Sequence, residues 1–84
     1  MRIDHLGIAV RSLEAALDFY QRVLGIEISG QEEVPHEKVR LAMLPLGESR
    51  IELLEATAED SAIAGFIAKR GEGLHHVALC VPDL

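Results

Sequence analysis

Two stretches of this chain repeat one another at an offset of 71 residues, so any fold it adopts has to give both the same local structure. Ile3-Asp4-His5-Leu6-Gly7-Ile8-Ala9-Val10 aligns without gaps with Leu74-His75-His76-Val77-Ala78-Leu79-Cys80-Val81; histidine meets histidine, and branched apolar and small residues keep their places. Apolar alternation bounded by turn residues predicts a strand in each copy. A second structural unit therefore begins at Leu74. Pro82-Asp83-Leu84 stands where Arg11-Ser12-Leu13 leads the first copy into a helix.

Between the two copies the pattern changes period several times. Ser12 offers an N-cap oxygen to a helix running to about Leu24, with Gly25 as its left-handed stop. Leu13, Ala16, Leu17, Tyr20, Val23 and Leu24 recur at three- and four-residue spacing and predict one buried stripe. A second strand, Ile26 to about Val34, is interrupted at Gly30 and closed by Pro35. Lys38–Leu44 and Arg50–Glu55 are alternating runs joined by residues 45–49, whose proline and glycine favour an antiparallel hairpin. Ala58–Arg70 predicts a short helix opened near Asp60 or Ser61, with Ile63, Phe66 and Ile67 inward and Lys69 and Arg70 at its negative end. The order is strand, helix, three strands, linking helix, strand. That is an α+β arrangement in which 1–57 form a βαβββ module, 58–73 a linking helix and Gly-rich turn, and 74–84 the first strand of a second, incomplete module.

Side chains alternate across a strand, so each run splits into two faces. Leu6, Ile8 and Val10 oppose His5, Gly7 and Ala9; Val77, Leu79 and Val81, with His75, oppose His76, Ala78 and Cys80; Ile51 and Leu53 oppose Glu52 and Leu54; Val39, Leu41 and Met43 oppose Arg40, Ala42 and Leu44. With helices over the bulky faces, the other side has small residues that leave room, and His5, Glu52 and His76 converge on it. Two imidazoles and one carboxylate suit Zn, Co, Ni, Mn or Fe(II) and leave coordination positions open for a substrate. The donor spacing alone is not diagnostic. His5 also fits a strand-end histidine bonded to backbone, and Glu52 a solvated residue on a half-exposed strand. The repeat is what favours the metal. His75 falls on the bulky face by parity and suits a supporting role rather than ligation. His36, Glu32 and Glu33 fit solvated positions, and Tyr20 the core of the helix.

Composition narrows the partners. Eighty-four residues form one compact unit at most and bury only about 60 to 65% of their unfolded surface. A net charge of −6 without a Lys/Arg cluster argues against nucleic acid. No apolar run reaches the roughly 20 residues that span a bilayer, and Met1 leads directly into the first strand without a signal-peptide pattern, so no membrane partner and a cytoplasmic location are expected. Cys80, the single cysteine, sits in an apolar alternation and is expected to be an inert buried thiol.

The residues Ile3–Val10, the helix ending in Phe19-Tyr20 and Val23-Leu24-Gly25, Leu44-Pro45-Leu46-Gly47, Ile51-Glu52-Leu53-Leu54-Glu55, Asp60-Ser61 and Gly73-Leu74-His75-His76-Val77 resemble, in this order, the methylmalonyl-CoA epimerase branch of the vicinal-oxygen-chelate (glyoxalase) superfamily. The likeness spans nearly the whole chain. The Gly-Leu-His-His and Ile-Glu-Leu-Leu-Glu elements are the more specific to that branch. Asp-His-Leu-Gly-Ile-Ala-Val is shared across the superfamily.

This resemblance implies paired βαβββ modules whose curved sheets enclose a divalent metal, Co2+ first, with Mn2+, Ni2+, Zn2+ or Mg2+ as alternatives. His5, Glu52 and His76 match three ligand positions; the family's fourth, a Glu from the last strand of the second module, has no counterpart among these residues. The implied reaction interconverts the C2 stereoisomers of an acyl-CoA, methylmalonyl-CoA, by 1,1-proton transfer through a metal-stabilised enolate. Carboxylates are the implied bases, one of them on the third strand where Arg40 stands here, so the catalytic residues stay unknown; Arg40 either meets the anionic substrate or coenzyme or is solvated. A half-module exposes sheet edge and core, which makes a homodimer the expected remedy. Three other readings remain open: a glyoxalase-type isomerase, a ring-cleaving dioxygenase, or a non-catalytic metal- or ligand-binding half-module.

Overall fold

The computed structural model describes residues 1–82; Asp83 and Leu84, at the end of the predicted second module, lie outside the described residues. The elements are β1 (Arg2–Ala9), α1 (Leu13–Leu17), β2 (Gly30–Val34), β3 (Val39–Leu46), β4 (Ser49–Ala56), α2 (Ala62–Arg70) and β5 (Gly73–Cys80). They form one five-stranded sheet in the order β2-β3-β4-β1-β5. β1 runs parallel to β4 and antiparallel to β5, and the β3–β4 hairpin is antiparallel as predicted. The architecture is the mixed α+β one expected from the sequence.

Each helix starts where a serine makes it start. Ser12 Oγ accepts from Ala15 N at 3.1 Å and Ser61 Oγ from Ala64 N at 3.0 Å, satisfying donors that the first turn leaves free. The first helix then departs from expectation. Only Leu13–Leu17 is α-helical; Asp18–Val23 is π-wound, with Leu24 N donating to Phe19 O at 3.2 Å, and Gly25 turns the chain out at φ 71°. The wider winding rotates later residues off the stripe, so Tyr20 still packs on the core while Val23 and Leu24 are exposed. β2 begins only at Gly30, although Ile26 and Ile28 reach the core ahead of it. The hairpin is tighter than a five-residue linker: Leu46 pairs with Ser49, leaving only Gly47-Glu48 at the turn, with Gly47 at φ 59°.

Two clusters hold the sheet, one on each face. Leu13 of α1 packs with Val10, Ala42, Leu44, Ile51 and Leu53, while Ile63 of α2 packs with Ala9, Val39 and Leu54. Leu44 and Leu53 are fully buried, and such burial stabilises by about 1.5–3 kcal/mol per side chain. β3 therefore faces opposite to the reading in which Val39, Leu41 and Met43 lie under a helix on the side away from the site. Register pairs Ala42 with Leu53 and Leu44 with Ile51, so those small and large residues together meet α1. Val39 and Leu41 share the face of Leu54, where α2 covers one end. Cys80, expected to be buried, is exposed on the edge strand β5.

Candidate metal centre

β1, β4 and β5 are neighbours in the sheet, and their register brings the three predicted residues together. Gly7 sits between Glu52 on one side and His76 on the other, with His5 two residues along on the same face. One ligand atom each from His5, Glu52 and His76 lie within 4.8 Å of one another, and all three residues are partly buried. His5 Nε2 stands 3.2 Å from His76 Nε2. A divalent ion that takes imidazole nitrogen at about 2.0–2.1 Å can reach both at once. Gly7 is what lets the rings approach, because a Cβ there would overlap the His76 imidazole. The donor set and the space fit a divalent ion.

Charged neighbours order the cluster. Arg50, paired with His5 across β1 and β4, donates to Glu52 Oε2 from Nε at 2.9 Å and from Nη2 at 2.8 Å, and its Nη1 lies 3.2 Å from Asp4 Oδ2. Asp4 Oδ2 in turn accepts from His5 Nδ1 at 2.8 Å. That hydrogen bond, opposed by desolvation and helped by the charge of Arg50, holds the Asp4 carboxyl below the usual range. Burial lowers the His76 pKa, and the neighbouring His75 and His5 lower it further against the opposite pull of Glu52. Neutral His76 is the form that can ligate a metal.

The cluster opens onto a cleft of about 610 Å³, whose walls include Glu52, His76 and the apolar Val39, Leu41, Leu54 and Ile63. His75 also lines it, which corrects its assignment to the other face: the β1–β5 register slips by one residue between Gly7 and Ile8, and His75 is the extra one. Its Nδ1 lies 2.9 Å from His76 Nδ1 and its ring meets Phe66 of α2 edge-on. Arg40 takes the solvated alternative, on the opposite face from the one parity gave it. It pairs with Glu55 on the α1 face, at 3.0 Å, and approaches Glu33 at 3.8 Å, away from the cluster. The sequence reading missed Arg50 and the role of Asp4; adjacency of Asp4 to His5 was the only available signal. His36, Glu32 and Glu33 are exposed as expected. No helix of the described residues is long and apolar enough to cross a membrane.

The chain is similar in sequence and fold to known proteins. The chain is 45% identical over 80 residues to the uncharacterized protein YqjC of Bacillus subtilis, covering 94% of this chain and 57% of that protein. It is 37% identical over 84 residues to the mitochondrial methylmalonyl-CoA epimerase of Homo sapiens, covering 99% of this chain and 48% of the enzyme. Among solved structures, a Streptomyces coelicolor methylmalonyl-CoA epimerase variant in complex with 2-nitronate-propionyl-CoA superposes with a TM-score of 0.87 at 44% identity, covering 92% of this chain and 58% of that one. The chain thus spans about half the length of the curated relatives it matches. The family profile described as Glyoxalase/Bleomycin resistance protein/Dioxygenase superfamily matches residues 4–84. With that match, the shared half-module fold and these identities, the chain belongs to the glyoxalase/bleomycin resistance protein/dioxygenase superfamily.

Proposed function

We propose that this chain carries part of a divalent-metal site that interconverts the C2 stereoisomers of methylmalonyl-CoA by 1,1-proton transfer. The observation that carries the reading is the convergence of the His5, Glu52 and His76 ligand atoms within 4.8 Å at the head of a cleft, in a chain 37% identical to a named epimerase. His5, Glu52 and His76 would hold the ion, Co2+ first, with Mn2+, Ni2+, Zn2+ or Mg2+ as alternatives. When bound, the ion supplies positive charge that stabilises the negative charge developing on the thioester oxygen as the C2 proton leaves.

The chain's own side chains do the rest. Arg50 holds Glu52 through one carboxylate oxygen, Oε2, which fixes the orientation of the other. Val39, Leu41, Leu54 and Ile63 line the cleft with apolar surface, which excludes water from the acyl group and strengthens electrostatic interactions beside it. β3 presents Val39, Leu41 and Met43 on this face, and none of them can accept a proton; the base is assigned to no residue here. The same reading includes a homodimer, supported by the apolar Val77, Leu79 and Val81 exposed on and beside the edge strand β5. It also includes a cytoplasmic location and the division of the chain into 1–57, 58–73 and 74–84.

The test is proton exchange. Incubated with methylmalonyl-CoA in deuterated buffer, the Co2+-loaded full chain is expected to wash out the C2 proton faster than buffer alone, and excess chelator to remove the difference. No exchange above the buffer rate with Co2+ bound overturns the epimerase reading. A second reading follows from the same donor set, because two imidazoles and a carboxylate also suit Fe(II) oxygenases. Oxygen uptake that depends on Fe(II) would favour it.

A further inference from the structure

We propose that Asp4 and His75 are positioning residues that hold the two imidazoles with both Nε2 atoms toward one shared divalent cation. This rests on the metal reading of the cluster and names the groups that make it work.

One strand pair is irregular. The register between β1 and β5 passes from Ile3↔Leu79 to His5↔Ala78 and from Gly7↔His76 to Ile8↔Leu74. Asp4 is thus the extra residue in β1 and His75 the extra residue in β5. In regular alternation a residue next to a histidine points to the opposite face. Both extra residues instead lie on the histidines' own side: Asp4 contacts His5 and Arg50, and His75 contacts His76 and Phe66. Bulges re-aim side chains in this way.

The consequence is the same at each ring. Asp4 Oδ2 is 2.8 Å from His5 Nδ1, and His75 Nδ1 is 2.9 Å from His76 Nδ1. A carboxylate is only an acceptor, so His5 Nδ1 carries the proton. An imidazole nitrogen without a proton accepts equally well, so His75 can take the Nδ1–H of His76 while its own proton sits on Nε2. Both Nε2 atoms are then left 3.2 Å apart, across the space that Gly7 clears. Two ring nitrogens held that way have a common cation as their natural partner. A ligating histidine that donates its other N–H to a fixed acceptor is locked in tautomer and orientation, and loss of such an acceptor costs typically 10–100-fold in metal affinity.

Ring-nitrogen NMR of the full chain reads this directly. In the metal-free protein the Nδ1 of both His5 and His76 is expected to bear the proton. Asp4→Ala should remove that preference at His5 alone, His75→Phe at His76 alone, and Asp4→Asn, which keeps an acceptor oxygen, should restore it. Zn2+ affinity is expected to fall about 10–100-fold in Asp4→Ala and His75→Phe and to stay near wild type in Asp4→Asn, with melting temperatures little changed. An unprotonated Nδ1 in the wild-type chain overturns the proposal, and needs no variant to fold. Unchanged tautomers and Zn2+ affinity in both variants overturn it as well. A wild-type chain that takes up no Zn2+ sinks the metal reading itself, while the tautomer spectra still decide whether Asp4 and His75 orient the rings.

Discussion

His5 and His76, 71 residues apart in the chain, present their Nε2 atoms to each other at 3.2 Å across the β1–β5 pairing. Neither ring reaches a metal-binding geometry alone; the strand pairing creates it. Removing either ring should therefore cost nearly as much as removing both. His5→Ala and His76→Ala are each expected to weaken Zn2+ binding strongly, and the double variant to bind little worse than either single one, the non-additivity of residues that share one site. Competition against a chromophoric chelator measures it.

Gly7 is the neighbour that this approach depends on. Gly7→Ala places a methyl group into the His76 ring, so either the ring or the strand pairing has to move. Overpacking of this kind costs about 1–3 kcal/mol. The variant should show a lower urea midpoint and a loss of Zn2+ affinity out of proportion to the change in stability. An alanine here that leaves affinity intact would mean that His76 does not lie against β1.

Leu53 tests the other face. It is fully buried beneath α1, and truncation to alanine costs about 2–5 kcal/mol. A chain this small is expected near the lower end of the usual 5–15 kcal/mol. Leu53→Ala should move the urea midpoint far down, or remove the cooperative transition, with no change at the metal site beyond what unfolding explains.

Asp60, on the wall of the same cleft, sets a pH dependence of its own. The ion pair with Lys38 lowers its pKa from the ordinary carboxylate value of 3.8, chiefly through the hydrogen bond and then through the charge. A depressed folded-state pKa means the contribution is present above about pH 4 and is lost as pH falls through the folded value. Asp60→Asn should lower the melting temperature at pH 7, by less in high salt because the pair is exposed. The gap between variant and parent should close as pH is lowered below the carboxylate range.

Much of this was legible before the structure. The repeat announced β1 and β5, Ser12 marked the first helix start and Asp60 or Ser61 the second, of which Ser61 is the cap, Gly25 marked the end of the first, and period-two alternation put His5, Glu52 and His76 on one face. What was not legible has common causes. A one-residue bulge reverses every parity argument beyond it, which is why His75 was assigned to the wrong side. Bulk identifies a covered face only when one face is covered, and here α2 packs on Val39 and Leu54 while α1 covers Ala42 and Leu44. The resemblance put Arg40 where the family has a carboxylate, but its register partner Glu55 lies on the α1 face. The π-wound turn leaves no mark in a three-and-four spacing, so Val23 and Leu24 seemed part of a stripe they have left.

X-ray absorption at the cobalt edge of the full chain, loaded with one equivalent of Co2+, reads the ligands of the proposed centre. One tightly held ion is expected, with two imidazole nitrogens and a carboxylate oxygen among its nearest neighbours, and loss of one imidazole on His5→Ala or His76→Ala. Failure to take up stoichiometric Co2+, or an imidazole shell unchanged by both substitutions, would contradict it.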